Sequence, residues 1–363
     1  MIILLINGGQ GGQSPRVALG NLQVGTSQRH LNKLVKKWLG GQDSPNTLID
    51  GDVAQGINQI QEFEYGPAGG PIFEGIPTYD QVAQGVAGTC YFLAGLMDIA
   101  NRHQDIFNDL FLNNGNGTYG VRFYGTDGKP VWVTVDPSSL PITREDGKVG
   151  LAFSGSDSTS GLRDPITNIR WSGMFEKAFA QANEIGVFAR ADQSNSYLAI
   201  EYGDAAVFGY LGGERFKMPY LGITKNPNQD EITGNSYVLF ENPDFIKRKT
   251  SPEDVAKILE KALRNAVPLT GQPSSELSRR YQEGDAMLIL SLFKDFDQGK
   301  QRFADQHAFA VVNYSSDTGM FTIANPWGKT PGSLSSFQLS SSNLDKLVYE
   351  GSILPVFAEY SVG

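Results

Sequence analysis

Cysteine is nearly missing from this chain. Cys90 is the single one among 363 residues, so no intramolecular disulfide can form and the fold does not depend on an oxidising compartment. Histidine is almost as scarce, at His30, His103 and His307, which leaves little material for a zinc site, and no metal ligands are assigned. Long apolar runs are missing too. Met1 to Ile6 is apolar but too short to span a bilayer, and it has neither the basic flank nor the cleavage site of a signal peptide. The expectation is a soluble, cytoplasmic, monomeric protein with no membrane partner. Charge is modest: 30 Lys plus Arg against 39 Asp plus Glu give a net charge of −9, with 19% charged residues. That balance argues against nucleic acid as a partner, and 40% hydrophobic content argues against wholesale disorder. The length suits two domains or one large two-lobed one.

Residues 1–65 differ from the rest and read as an N-terminal extension. Ile6 to Pro15 is a Gly/Gln-rich loop without the Lys-Ser/Thr ending of a phosphate-binding loop, so no ligand is assigned to it. Leu31, Leu34, Val35, Trp38 and Leu39 follow helical spacing while Lys33, Lys36 and Lys37 face away, which predicts an amphipathic helix stopping at Gly40-Gly41. Tyr91 to Ala100 is almost wholly apolar and predicts a buried helix with Cys90 at its first turn. Tyr119 to Phe123 and Val131 to Val135 predict a hairpin around Asp127-Gly128, and Trp171 to Ala182 a further helix. Gly203 to Gly213 is a candidate lobe boundary. Ser251-Pro252-Glu253-Asp254 opens another predicted helix, after which Met287 to Phe293, His307 to Tyr314 and Met320 to Ala324 read as strands. Helical first and strand-rich second, the chain is α+β, with lobes at 66–212 and 213–363.

A cysteine at the N-terminus of a buried helix has its thiolate favoured by unpaired backbone N–H groups and the helix dipole. A lone cysteine there is also a good small core hydrophobe, and its partners decide between the two. His103 would sit at the far end of the same helix, about 20 Å away. His30 lies among Lys and Arg on the N-terminal helix. His307 remains. If the following hairpin centres on Asp317, facing positions sum to 634, which makes Asn325 a diagonal neighbour of His307 on the same sheet face. An Asn carbonyl there can accept from one imidazole nitrogen and leave the other for a thiol. Gln84, six residues before Cys90, could add a side-chain donor for an oxyanion.

Taken together, these residues resemble the calpain family of cysteine proteases. Gln84 to Ala94 (QGVAGTCYFLA) is similar to that family's QGxxGDCWxLA segment. His307-Ala308-Phe309 and Asn325-Pro326-Trp327-Gly328 resemble its GHAY-like and NPWG segments, and Trp171 to Ala180 its FWxxLLEKAYA helix. The resemblance implies a papain-like fold of two lobes and endopeptidase cleavage of protein or peptide substrates through an acyl-enzyme. By motif, Cys90 would be the nucleophile, His307 the base and then acid, Asn325 its orienter and Gln84 the oxyanion donor. Gly88 and Trp327 would line the substrate site, Trp327 also covering the His-Asn bond. Thr89 stands where the family usually has Asp, Tyr91 where it has Trp, and Gln306 where it has Gly. No cofactor is required by the sequence. Calcium, used by animal calpain cores, is matched poorly: Gln81, Lys329 and Pro331 occupy positions where acidic residues are usual, and Asp295 to Gln306 does not make an EF-hand. The alternatives are an inactive calpain-like binding scaffold and a Cys-dependent acyltransferase. For the extension of 1–65 two readings stand: its helix is docked on the body of the protein, or the extension is a pro-segment that the enzyme removes itself.

Overall fold

A computed structural model of the chain describes residues 27–49, 61–156, 163–188, 190, 192–201, 207–216, 220–223, 267–268, 273–291, 296–298, 301–303, 307–328, 335–349 and 353–360. In chain order the elements are α1 (Gln28–Trp38), β1 (Glu64–Pro67), α2 (Cys90–Arg102), α3 (Gln104–Asp109), β2 (Phe111–Asn113), β3 (Tyr119–Tyr124), β4 (Pro130–Val135), β5 (Ser139–Glu145), β6 (Lys148–Leu151) and α4 (Trp171–Asn183). Then follow α5 (Val207–Gly212), β7 (Tyr220–Ile223), β8 (Val267–Pro268), α6 (Pro273–Glu283), β9 (Ala286–Ser291), β10 (Phe296–Gln298), β11 (Gln301–Phe303), β12 (His307–Ser315), β13 (Met320–Ala324), β14 (Ser336–Ser340), α7 (Ser341–Tyr349) and β15 (Ile353–Ala358). This is an α+β chain, its strands antiparallel apart from the β7–β8 pair. Among the described residues no helix is long and apolar enough to cross a membrane. The helix expected from Ser251 and the Gly/Gln-rich loop of 6–15 lie outside the described residues.

Two compact units divide the described residues. The first takes those up to Pro77, Ala83–Thr89 and Asp105–Glu201; the second takes Thr78–Val82, Cys90–Gln104 and those beyond Glu201. This differs from the expected boundary at 212 and 213, and from the expected grouping of Cys90 with the first lobe. The reason is packing. α2 is apolar nearly all round and buried from Cys90 to Ala100, so it must be covered on every side, and its partners β9 and β12 come from the far end of the chain.

In the first unit, the sheets β1-β5-β6 and β2-β3-β4 are joined by α4, all of whose residues are buried. The predicted hairpin forms in the expected register, with Tyr119 opposite Val135 and Phe123 opposite Val131. Phe107, Phe111, Trp171 and Phe175 pack edge-on or tilted beside it.

α1 forms as predicted but turns differently. Leu34 and Trp38 are buried, whereas Val35 and Leu39 are 45% and 63% exposed. Lys37, expected to face solvent, is buried instead, its Nζ 2.5 Å from Glu184 Oε2 and 3.6 Å from Asp43 Oδ1. A buried cation is kept only where anions meet it, and both anions are supplied by this unit. Asp43 in turn accepts from Asn195 Nδ2 at 2.9 Å, and β1 pairs with β5 from Glu64–Ile142 to Pro67–Ser139. The described part of the N-terminal 65 residues is thus built into the first unit.

In the second unit, the seven-stranded sheet runs β14-β13-β12-β9-β15-β7-β8. β9 reads AMLILS and is buried throughout, as a central strand covered on both faces requires. Met287, Ile289, Phe309, Val311, Phe321 and Ile323 form one core with Leu277 of α6 and Leu344 and Leu347 of α7.

Candidate active site

His307 is the first residue of β12, and the β12–β13 register fixes what stands near it. Val311 faces Ile323 and Ala310 faces Ala324, so facing positions sum to 634 at the His307 end of the hairpin. Nearer the turn the register slips by one, through an irregularity between Val311 and Asn313 that is confined to that end. Asn325, just past β13, therefore reaches His307, and its Oδ1 lies 2.8 Å from His307 Nε2. The Trp327 backbone N–H donates to the same Oδ1 at 3.0 Å, which identifies that atom as the oxygen. An oxygen can only accept, so Nε2 carries the proton and Nδ1 of a neutral ring is the basic nitrogen. The Trp327 ring packs over the imidazole at 4.4 Å between centroids. His307 is 3% exposed, and its pKa is pushed down to about 4, chiefly by burial, with the Asn325 bond opposing.

Cys90 is the first residue of α2 and 9% exposed. The register of the helix on the sheet shows which end of the sheet it occupies. Arg102 donates to the Asp285 carbonyl at 2.5 Å, and the Asp98 carboxyl accepts from the Met287 backbone, so the helix runs backwards along β9. From Asp98 to Cys90 is about 12 Å of helix, equal to between three and four residues of strand. That step leads from Met287 to the Leu290–Ser291 end of β9, whose partners on β12 are Ala308 and His307. A second contact agrees. Asn101 donates to the Val312 carbonyl at 2.8 Å, and eleven residues of helix match five of strand at about 16 Å, which leads from Val312 to His307. The Cys90 end of α2 and the His307 end of β12 coincide.

His103 sits at the other end of the helix, 3.8 Å from Asp98 and against the rings of Phe216 and Tyr360. His30 lies in α1.

Gln84 and Gly88 belong to the first unit, in the segment that leads to Cys90. Gln84 donates from Nε2 to the Ala87 carbonyl at 2.6 Å, and its Oε1 is buried without a partner among the described residues. One of the two amide protons is left over. The Gly88 N–H donates to Glu201 Oε1 at 2.9 Å, so that amide is already engaged.

Sequence reasoning missed Glu176. This fully buried carboxyl of α4 accepts from the Thr89 hydroxyl and from the Ser154 N–H at 2.8 Å. Burial raises its pKa to about 7, against those bonds and a lesser contribution from Arg163. The available signal was a Glu-Lys pair in the middle of an apolar helix. Its neighbour Lys177 is likewise buried, donating to the Asp136 and Ser139 carbonyls, and its pKa is lowered to about 8 by desolvation.

Among the described residues no cluster of three His, Cys, Asp or Glu side chains is placed to hold a metal ion. Gln81 carries an uncharged amide where a calcium ion wants carboxylate, and Lys329 and Pro331 lie outside the described residues.

A search of curated proteins returns no match. The calpain family cysteine protease model matches residues 71–336, which spans α2, β12, β13 and the segments bearing Gln84, Cys90, His307 and Asn325. The match covers well over half of the chain, and the chain belongs to the calpain family of cysteine proteases.

Proposed function

We propose that the protein is a cysteine endopeptidase of papain-like plan that hydrolyses peptide bonds through an acyl-enzyme on Cys90. The observation that carries this reading is the His307–Asn325 bond, with Oδ1 identified by the Trp327 amide. It makes Nδ1 the basic nitrogen of a neutral ring, and burial favours that neutral form. The Cys90 thiol gives its proton to His307 Nδ1 while Sγ attacks the scissile carbonyl carbon. The resulting oxyanion takes donors from the Cys90 N–H and the remaining Gln84 amide proton. The C–N bond then breaks, the leaving amine takes the proton from His307, and a thioester remains on Cys90. Water, losing a proton to Nδ1, attacks the thioester and the proton returns to sulfur. Gly88 and Trp327 border the substrate, and protein or peptide chains are the partners. Nothing in this cycle requires a metal.

Hydrolysis of casein under reducing conditions tests the reading, with wild type, Cys90→Ser and His307→Ala each assayed with calcium and with chelator. Cleavage by wild type alone, equal in both conditions, is expected. Cleavage that survives Cys90→Ser would overturn it.

Self-processing belongs to the same proposal, with a boundary the packing suggests. α1 and β1 are tied into the first unit through Lys37, Glu184, Asp43 and the β1–β5 ladder. Loss of the chain before Gln28 leaves those contacts whole. N-terminal sequencing of aged wild type and Cys90→Ser should show a new terminus before Gln28 in wild type only; a wild-type chain that keeps Met1 under conditions where casein is cut would contradict it.

A further inference from the structure

The segment Gln84–Thr89, which leads directly into the proposed nucleophile, is held by an unusually close three-layer arrangement. Ala83 and Gly155 exchange backbone bonds at 2.6 and 3.0 Å, and the Val86 N–H donates to the Ala152 carbonyl at 3.0 Å. The two stretches lie so close that a Cβ on Gly85 would come within 2.1 Å of the Ala152 oxygen. On the other side α4 presses in just as closely, since a Cβ on Gly173 would come within 2.4 Å of the Ser154 oxygen. Three residues along the same helix from Gly173, Glu176 projects into this layer and bonds both stretches: Oε1 to the Thr89 hydroxyl and Oε2 to the Ser154 N–H. Thr89 is wholly buried, and its carbonyl carbon is bonded to the nitrogen of Cys90.

We propose that Glu176 is a positioning residue for the nucleophile, acting through the Thr89 hydroxyl to fix the peptide that joins Thr89 to Cys90. This rests on the reading of Cys90 as the nucleophile. The geometry separates the residue's two bonds by purpose. The Ser154 bond ties Glu176 to the neighbouring 152–155 stretch, while the Thr89 bond is the one that reaches the nucleophile segment.

The test compares wild type with Thr89→Val, which keeps the shape and removes the hydroxyl, Thr89→Ser, which keeps the hydroxyl, and Glu176→Gln. Each is measured for kcat and KM on a peptide substrate, for the rate of Cys90 alkylation by iodoacetamide across pH, and for thermal unfolding. Thr89→Val is expected to lower kcat about tenfold or more with KM little changed and to shift the alkylation profile, Thr89→Ser to restore most of the loss, and Glu176→Gln to fall between. A folded Thr89→Val with wild-type kcat and alkylation profile would overturn the proposal, as would a loss that Thr89→Ser does not restore. Should Thr89→Val unfold, Thr89→Ser against Thr89→Ala gives the same comparison. Wild-type protein without peptidase activity would sink the functional reading instead, and the alkylation profiles would still decide the role of Glu176.

Discussion

His307 is held from two directions, by the Asn325 oxygen at one nitrogen and by the Trp327 ring across its face. Removing the imidazole removes the proposed base, and His307→Ala should lower kcat by about 10²- to 10⁴-fold. Asn325→Ala leaves the base but frees it to rotate and to change tautomer. Losing that one bond should cost about ten- to a hundredfold in kcat with less effect on KM, read from steady-state kinetics on one peptide. Stability should carry the same signature. The folded pKa of His307 is about 4 against an ordinary 6.5, so the unfolded chain takes up the proton first as pH falls. The contribution of the neutral, buried ring is therefore whole above about pH 6.5 and drains away towards pH 4. Denaturant titrations at pH 7.5 and 5 should show wild type losing more stability over that interval than His307→Gln. Equal losses would contradict the assignment. Glu176 and Asp98 titrate in the opposite sense, being raised to about 7, but are common to both proteins.

At the scale of elements, the fold's tolerance is set where backbones touch. Gly85→Ala or Gly173→Ala drives a methyl group into a neighbouring carbonyl oxygen, so each should destabilise by about 1–3 kcal/mol in urea unfolding. α1 provides a second contrast. Lys37→Ala strands the buried Glu184 and Asp43 carboxylates and should cost about 3–5 kcal/mol, while Leu39→Ser, at an exposed site, should stay within about 0.5 kcal/mol. The sequence pattern could show that a helix forms here, because Leu34 and Trp38 carry the period. It could not show the burial of Lys37, because Glu184 lies 147 residues away and hydrophobic spacing treats every lysine as solvent-facing. The β12–β13 hairpin was readable for the converse reason. Its information is local, a polar turn and a period of two; the centre expected at Asp317 does not hold beside the turn, where facing positions sum to 635, and the unforeseen irregularity between Val311 and Asn313 restores the expected register towards His307.

At the scale of the molecule, the lone cysteine and three histidines made the active-site search short, and the motifs around Cys90, His307 and Asn325 lie inside the family match. Glu176 escaped because its partner Thr89 is 87 residues away and neither residue type announces the other. The grouping of α2 escaped for the same physical reason, since the strands that bury it come some two hundred residues later. What joins these scales is the claim that α2 delivers a sulfur to a base built by β12 and β13. The most direct measurement is the intact mass of the protein after acid quench during turnover of a short peptide as an activated ester, chosen so that acylation outruns deacylation. The account predicts an added acyl group mapped to Cys90, released by hydroxylamine and absent in Cys90→Ser. Substrate turnover with no adduct on Cys90, or with an adduct that persists in Cys90→Ser, would contradict it.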